Sequence, residues 1–314
     1  MADFQLSCED VFLRRELIAA GLTDRDIGAR VHAGDLTRLR HGAYVATELV
    51  KELGEVDVAR ARARAVLRTA HPTAVLSHQT ALAEHGVDVW GAGHHETHLT
   101  RTDGRPGRRE AGVVHHRATL GRRWWATHDG IPVTHPARAA IEVVTTYGAE
   151  AGLVAACGVL HRELAPRAEL EEVAVEAMRW PGSLGTRLVL ARADARLTNV
   201  AEARMWNFFF ERGITRPDPQ VKVRDGQGNL LGIVDFLWRA QGVFLEFDGR
   251  IKYEHHRRPG ESLADYLMRE KRREEQICVE NGWIGIRVTW ADLQRPAVLA
   301  RRIRRALESR THAL

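Results

Sequence analysis

The segment GVFLEFDGRIK, residues 242–252, places two carboxylates inside an apolar run. Val243, Phe244, Leu245 and Phe247 are residues of a strand entering a core, yet Glu246 and Asp248 sit among them. Two residues apart in an extended chain, both acids point to one face. A buried carboxylate without a partner costs several kcal/mol, and otherwise shifts its pKa or finds a cation. Asp235 stands in the apolar stretch GIVDFLW, ten intervening residues before Glu246 and across a turn at RAQG. Two strands of one hairpin would set Asp235 and Glu246 side by side, where like charges repel. A divalent cation relieves that repulsion, and hard carboxylate oxygens suit Mg²⁺ or Mn²⁺. An ion bridging carboxylates and a phosphate oxygen lowers the pKa of a bound water and clamps an in-line displacement. Lys252, just beyond Gly249, is placed to stabilise developing charge or to orient the water. Glu202, in NVAEARMWNFFFERG, adds a third acid, although a helix-surface acid explains it nearly as well.

The elements needed to position these acids are legible in order. The pattern predicts a helix over NVAEARMWNFFFERG, then strands in DPQVKVRD, LLGIVDFLWR and GVFLEFDG. A long helix over SLADYLMREKRREEQICVENG, a strand in WIGIRVTWADL and a closing helix over PAVLARRIRRAL complete a small mixed sheet with flanking helices. The plain alternative for Asp235, Glu246 and Asp248 is a solvated edge strand, which the apolar neighbours argue against. Within REKRREEQ the mixed signs suit a solvated helix face, from which Arg269, Arg272 and Arg273 could approach a phosphate backbone. DGQGN is a hairpin turn, since no strand-to-helix context makes it a phosphate loop.

The N-terminal end has a different layout. DVFLRRELIAAGL shows helical spacing and stops at Gly21; Thr23 with Asp26 three residues on opens DRDIGARVHAG, which Gly34 ends. DLTRLRHGAYVA then frames a turn at His41-Gly42. Helix, turn, helix and a basic hairpin make a winged helix-turn-helix, whose second helix enters a major groove while the wing touches phosphates. The expected contacts are Arg25, Arg30 and His32 on the helix, and Arg38, Arg40 and His41 on the wing. The fold expected is thus α/β in class, α+β overall. It comprises a winged helix-turn-helix over residues 1–50, a middle α/β region over 51–183 and a mixed-sheet domain over 184–314.

Taken together, EARMW, PDPQVKV, GIVDFLW, VFLEFDGRIKY and GWIGIRVTW resemble bacterial nuclease-like domains related to very-short-patch repair endonucleases, within the PD-(D/E)xK superfamily. The resemblance spans about 120 residues. It implies a restriction-endonuclease-like fold, Asp235 and Glu246 as metal ligands with Glu202 assisting, and hydrolysis of DNA. Where the superfamily motif carries its lysine, two residues after Glu246, this chain has Asp248. That is the E-x-D-G form of the closer relatives. Asp248 is then either a third ligand or a cap for the turn at Gly249, with Lys252 as the substitute lysine. Separately, GLTDRDIGARVHAGDLTRLRHGAYV is similar to the winged helix of AbiEi-type antitoxins, and AVLSHQTALAEHG and GIPVTHPARAAIEVV to the segment that follows it. That second likeness implies a transcriptional repressor with a cognate toxin-like partner, on which reading the nuclease fold would be degenerate.

Composition sets outer bounds. The net charge of +5 suits an acidic partner such as DNA but is weak evidence by itself. No apolar run is long enough for a transmembrane helix, and MADFQLSCEDVFLRREL lacks a signal-peptide core, so a cytoplasmic protein without a membrane partner is expected. Three scattered cysteines fit a reducing compartment. His94, His95 and His98, and the pair His115-His116, lack cysteine partners and regular ligand spacing, so no zinc site is expected there. His255 and His256 suit a phosphate-contacting loop. In RRWW, Trp124 and Trp125 either stack on bases or anchor a loop to the core, the second being the commoner use.

Overall fold

The computed structural model describes residues 6–105, 109–248 and 260–311. Lys252, His255 and His256 lie outside the described residues. The chain is mixed α/β and divides into two compact units, Met1–Ala193 and Asp194–Leu314. The expected first and second domains thus fall in one unit, and the break comes ten residues later than the expected 183/184 boundary.

The first unit begins with strand β1 (Phe12–Leu13), helices α1 (Arg14–Ala19) and α2 (Asp24–Ala33), and strands β2 (Leu36–Arg40) and β3 (Ala43–Ala46). Phe12 and Leu13, expected to be helical, are instead extended and pair with Tyr44 and Ala43. Burial of Val11 and Leu13 against Ala43 and Val45 outweighs the local helical spacing. Thr23 caps α2 as its spacing predicts: its hydroxyl accepts from the Asp26 N–H, and the Asp26 carboxylate accepts from the Thr23 N–H. Gly34 ends the helix in the left-handed conformation, φ +83°.

Helix α3 (Glu55–Leu67) and six more strands follow: β4 (Ala74–Leu76), β5 (Thr97–Arg101), β6 (Arg109–Glu110), β7 (Val113–His116), β8 (Trp125–His128) and β9 (Ile131–Thr134). They form one mixed sheet in the order β6-β7-β5-β4-β9-β8. Within the stretch AVLSHQTALAEHG, Ala74–Leu76 join the sheet and His78–Glu84 form helix α4. Helices α5 (Pro136–Tyr147) and α6 (Ala149–His161) are nearly all buried. A Cβ at Gly152 would stand 2.2 Å from Val144 Cγ2, so the two helices approach at glycine distance. Trp124 is buried, donates its indole N–H to Glu176 and lies under the Arg123 guanidinium, so it anchors its loop.

The second unit contains helix α9 (Val200–Glu211), after α7 (Arg167–Glu176) and α8 (Thr186–Arg192) of the first. Strands β10 (Asp218–Arg224), β11 (Leu230–Trp238), β12 (Val243–Phe247) and β13 (Ile284–Val288) stand side by side in that order. The first three run antiparallel, and β13 joins β12 in parallel after helix α10 (Leu263–Asn281). On one face Phe209 of α9 meets Phe236 and Trp238 edge-on, with centroids 5.1 and 5.2 Å apart. On the other, Ile277 of α10 packs with Val221, Val223, Val234, Leu237 and Phe244. No helix among the described residues is long and apolar enough to cross a membrane.

Candidate functional site

Asp235 and Glu246 do come together. The β11–β12 register pairs Phe236 with Leu245, so the next pair outward is Asp235 with Glu246. Asp235 Oδ2 accepts the Phe247 N–H at 2.7 Å. Both acids are buried, 6% and 4% exposed.

The backbone is irregular at this point. Val234 and Leu237 belong to one apolar cluster although three residues separate them, while Phe236 packs against α9. Strict alternation would put Val234 and Leu237 on opposite faces, so the pleat changes phase at Asp235. On the facing strand, between Pro219↔Phe236 and Val221↔Val234, Gln220 has φ +54°. A non-glycine residue in that region costs on the order of 1–3 kcal/mol and clusters at functional sites. The Gln220 side-chain amide points at Asp235 Oδ1, 3.4 Å away.

Glu246 has two cationic neighbours. Arg273 Nη2 donates to Oε1 at 2.7 Å, and Arg287 Nη2 lies 3.1 Å from Oε2. The second contact is an ion pair by distance only, since Oε2 is buried and accepts no aligned hydrogen bond among the described residues. Arg273 also pairs with Glu270 at 3.1 Å, and Arg287 with Glu274 at 2.8 Å, so charges alternate across α10, β12 and β13. Parallel pairing sets Arg287 beside Glu246, and Gly232 leaves room for Arg273: a Cβ there would meet its Nη1 at 2.8 Å. Burial raises the Glu246 pKa above the ordinary carboxylate range; Arg273 and Arg287 pull it down without cancelling that rise, and Asp235 adds to it.

The other expected residues are placed differently. Asp248 is half-buried, donates its N–H to the Val288 carbonyl and lies in the field of Arg287. Among the described residues no three acids bring one oxygen each within 4.8 Å, so Asp248 does not complete a three-acid cage with Asp235 and Glu246. Glu202 turns back on its own helix start, accepting from the Thr198 N–H and hydroxyl and from the Asn199 amide. Arg269 forms a two-pronged pair with Glu261 and touches Glu270, while Arg272 is exposed. In the first unit Arg25, Arg30, His32, Arg38 and His41 are exposed. Arg40 is half-buried and lines a cleft of about 520 Å³ with His71, Arg101, Arg105 and His115.

Sequence reasoning passed over Arg287 and Gln220. Arg287 had a signal, as the one charge in the apolar strand Ile284–Val288. Gln220 had none, because its backbone conformation is a tertiary outcome. The chain matches no protein-family model and no curated protein sequence.

Proposed function

We propose that this protein binds DNA through a winged helix-turn-helix at its N-terminal end and hydrolyses phosphodiester bonds in a PD-(D/E)xK-type, restriction-endonuclease-like C-terminal unit. The observation that carries the reading is Glu246 Oε2: a buried carboxylate oxygen beside Asp235, without an aligned donor, is a ready ligand for a hard cation. The donor set, oxygen only, fits Mg²⁺ or Mn²⁺. Asp235 and Glu246 would hold the ion, which supplies charge neutralisation at the phosphate and an acidified water. Gln220 orients Asp235 through its amide. Arg273 and Arg287, at the rim of the acids, are positioned to receive phosphate oxygens, for which guanidinium geometry is well matched. Lys252 keeps its expected part in steadying developing charge, and Asp248 its part as an added ligand on substrate binding. Glu202 enters this reading as a residue that orders the α9 terminus. Arg25, Arg30, Arg38, Arg40 and His41 supply the sequence-independent hold on the duplex.

A second reading rests on Arg273 and Arg287. As permanent counter-ions of Glu246 they would make the acids structural, and the protein an AbiEi-like repressor with a degenerate nuclease fold and a toxin-like partner. One experiment separates the two. Purified protein is given single-stranded, duplex, branched and mismatched DNA with Mg²⁺ or Mn²⁺. Cutting that Asp235→Ala abolishes supports the nuclease. Equal inertness of both proteins rejects it, and promoter binding that survives Asp235→Ala but not Arg30→Ala or Arg40→Ala then supports the repressor.

A further inference from the structure

The first unit holds a cluster that the acids do not involve. His78, His98 and His116 bring one ring nitrogen each within 4.8 Å of one another. Sequence spacing hid this set, because its members come from the start of α4, from β5 and from β7. Register explains the meeting. The parallel β5–β7 pair sets His98 opposite Val114 and Thr100 opposite His116, so His98 and His116 share a face while His115 takes the other. On the opposite side β4 pairs with β5 and delivers His78, just after Ser77, whose N–H bonds the His98 carbonyl.

Two of the nitrogens already face each other. His98 Nδ1 faces His116 Nε2 at 2.8 Å. Zinc–nitrogen bonds of about 2.0–2.1 Å put two ligands of a tetrahedral ion ~3.3 Å apart, so a side-chain shift of about half an ångström admits one. The His78 ring stacks on that of His116, centroids 3.7 Å apart. Convergence of all three lone pairs therefore takes rotation about a histidine χ2, a broad torsion. Two of the outward nitrogens are already supported. His98 Nε2 lies 3.1 Å from the Tyr147 hydroxyl, which in turn accepts from Gln79. His78 Nδ1 lies 3.0 Å from the Ser77 hydroxyl and 3.5 Å from Glu142 Oε2. Such a partner on the far nitrogen fixes the tautomer and orientation of a metal-binding histidine.

Two further facts favour a ligand. His78 has φ +57°, a conformation glycine would adopt without strain, and the chain places an imidazole there. Its side chain is also buried, which keeps bulk water from the ring nitrogens.

We infer that His78, His98 and His116 form a binding site for one zinc-class divalent ion, three imidazole nitrogens with a remaining position for water. Imidazole donors without a carboxylate in direct contact select Zn²⁺ or Co²⁺ over Mg²⁺. The half-buried His116 is the side from which an ion arrives.

The test uses the full chain, metal-stripped and titrated with Zn²⁺ against a chromophoric chelator, and in parallel with Co²⁺ read by its visible spectrum. One equivalent binds in wild type, with the intense visible absorption of a low-coordinate Co²⁺ centre. His98→Gln or His116→Gln lowers Zn²⁺ affinity more than 100-fold, whereas His115→Gln leaves it unchanged. Tyr147→Phe lowers it about tenfold at unchanged stoichiometry, the usual effect of removing such a support. His116→Gln, at a half-buried strand end, serves where His98→Gln fails to fold. Absence of stoichiometric Zn²⁺ binding in wild type, or equal affinity in wild type and His116→Gln, overturns the assignment.

Discussion

The two units each bury a set of like ionisable groups at neighbouring strands, and they bear the cost in opposite ways. In the first, three imidazoles from separate segments meet, burial holds the His78 pKa below its ordinary value, and the Arg138–Glu142 pair stands next to that ring. In the second, Asp235 and Glu246 lie side by side, and two guanidiniums reach Glu246. A neutral base offers a lone pair to a borderline metal, whereas crowded anions offer charge to a hard one. On the two proposals above, the chain would offer a nitrogen site and an oxygen site of different metal preference.

The contrast can be broken most sharply at Arg138. It is 1% exposed, donates to Glu142 at 2.9 Å and covers the Trp180 ring. Removing one partner of a buried pair leaves an uncompensated charge, so Arg138→Ala should destabilise the first unit by about 3–5 kcal/mol. Calorimetry should show its transition moving while that of the second unit stays. Next comes Asp235→Asn, expected to reduce Mg²⁺-dependent DNA cleavage about a thousandfold, several kcal/mol of lost charge stabilisation. Circular dichroism should show an unchanged fold.

A smaller effect concerns pH, and its sign differs between the units. The folded pKa of His78 lies below its ordinary 6.5. Its contribution is complete above that value and is lost as pH falls toward the folded pKa. The folded pKa of Glu246 lies above its ordinary 4.5, so its contribution is complete below 4.5 and is lost as pH rises through the folded pKa. Thermal melts should thus show the first unit weakening below pH 6.5, with His78→Gln flattening that slope. Glu246→Gln should flatten the opposite slope of the second unit. Parallel slopes in both units would remove the contrast. The smallest effect is expected at the exposed Arg25: Arg25→Ala should weaken DNA binding uniformly across sequences and reduce the salt slope by about one.

Local chemistry made much of this readable in advance. The Thr23–Asp26 box and Gly34 bound α2 as expected, and the first three strands of the second unit fall within one or two residues of their expected stretches. Adjacency of Asp235 and Glu246 followed from a short turn between two strands. The failures share a cause. Phe12 and Leu13 look helical in isolation and become a strand because β3 offers an edge. Trp290–Leu293 read as the end of the fourth strand and form a short helix instead, boxed by Thr289 and Asp292.

By itself, the amino-acid order determined most of the helices and strands, where caps and turns fall, and that two acids would share a hairpin, because those depend on groups close along the chain. Only the tertiary structure decided that Arg273 and Arg287 face Glu246, that the pleat reverses at Asp235 opposite Gln220, and that three histidines from distant segments meet. Those outcomes depend on which strands pair and in what register. A register shifted by one residue would send every side chain concerned to the other face.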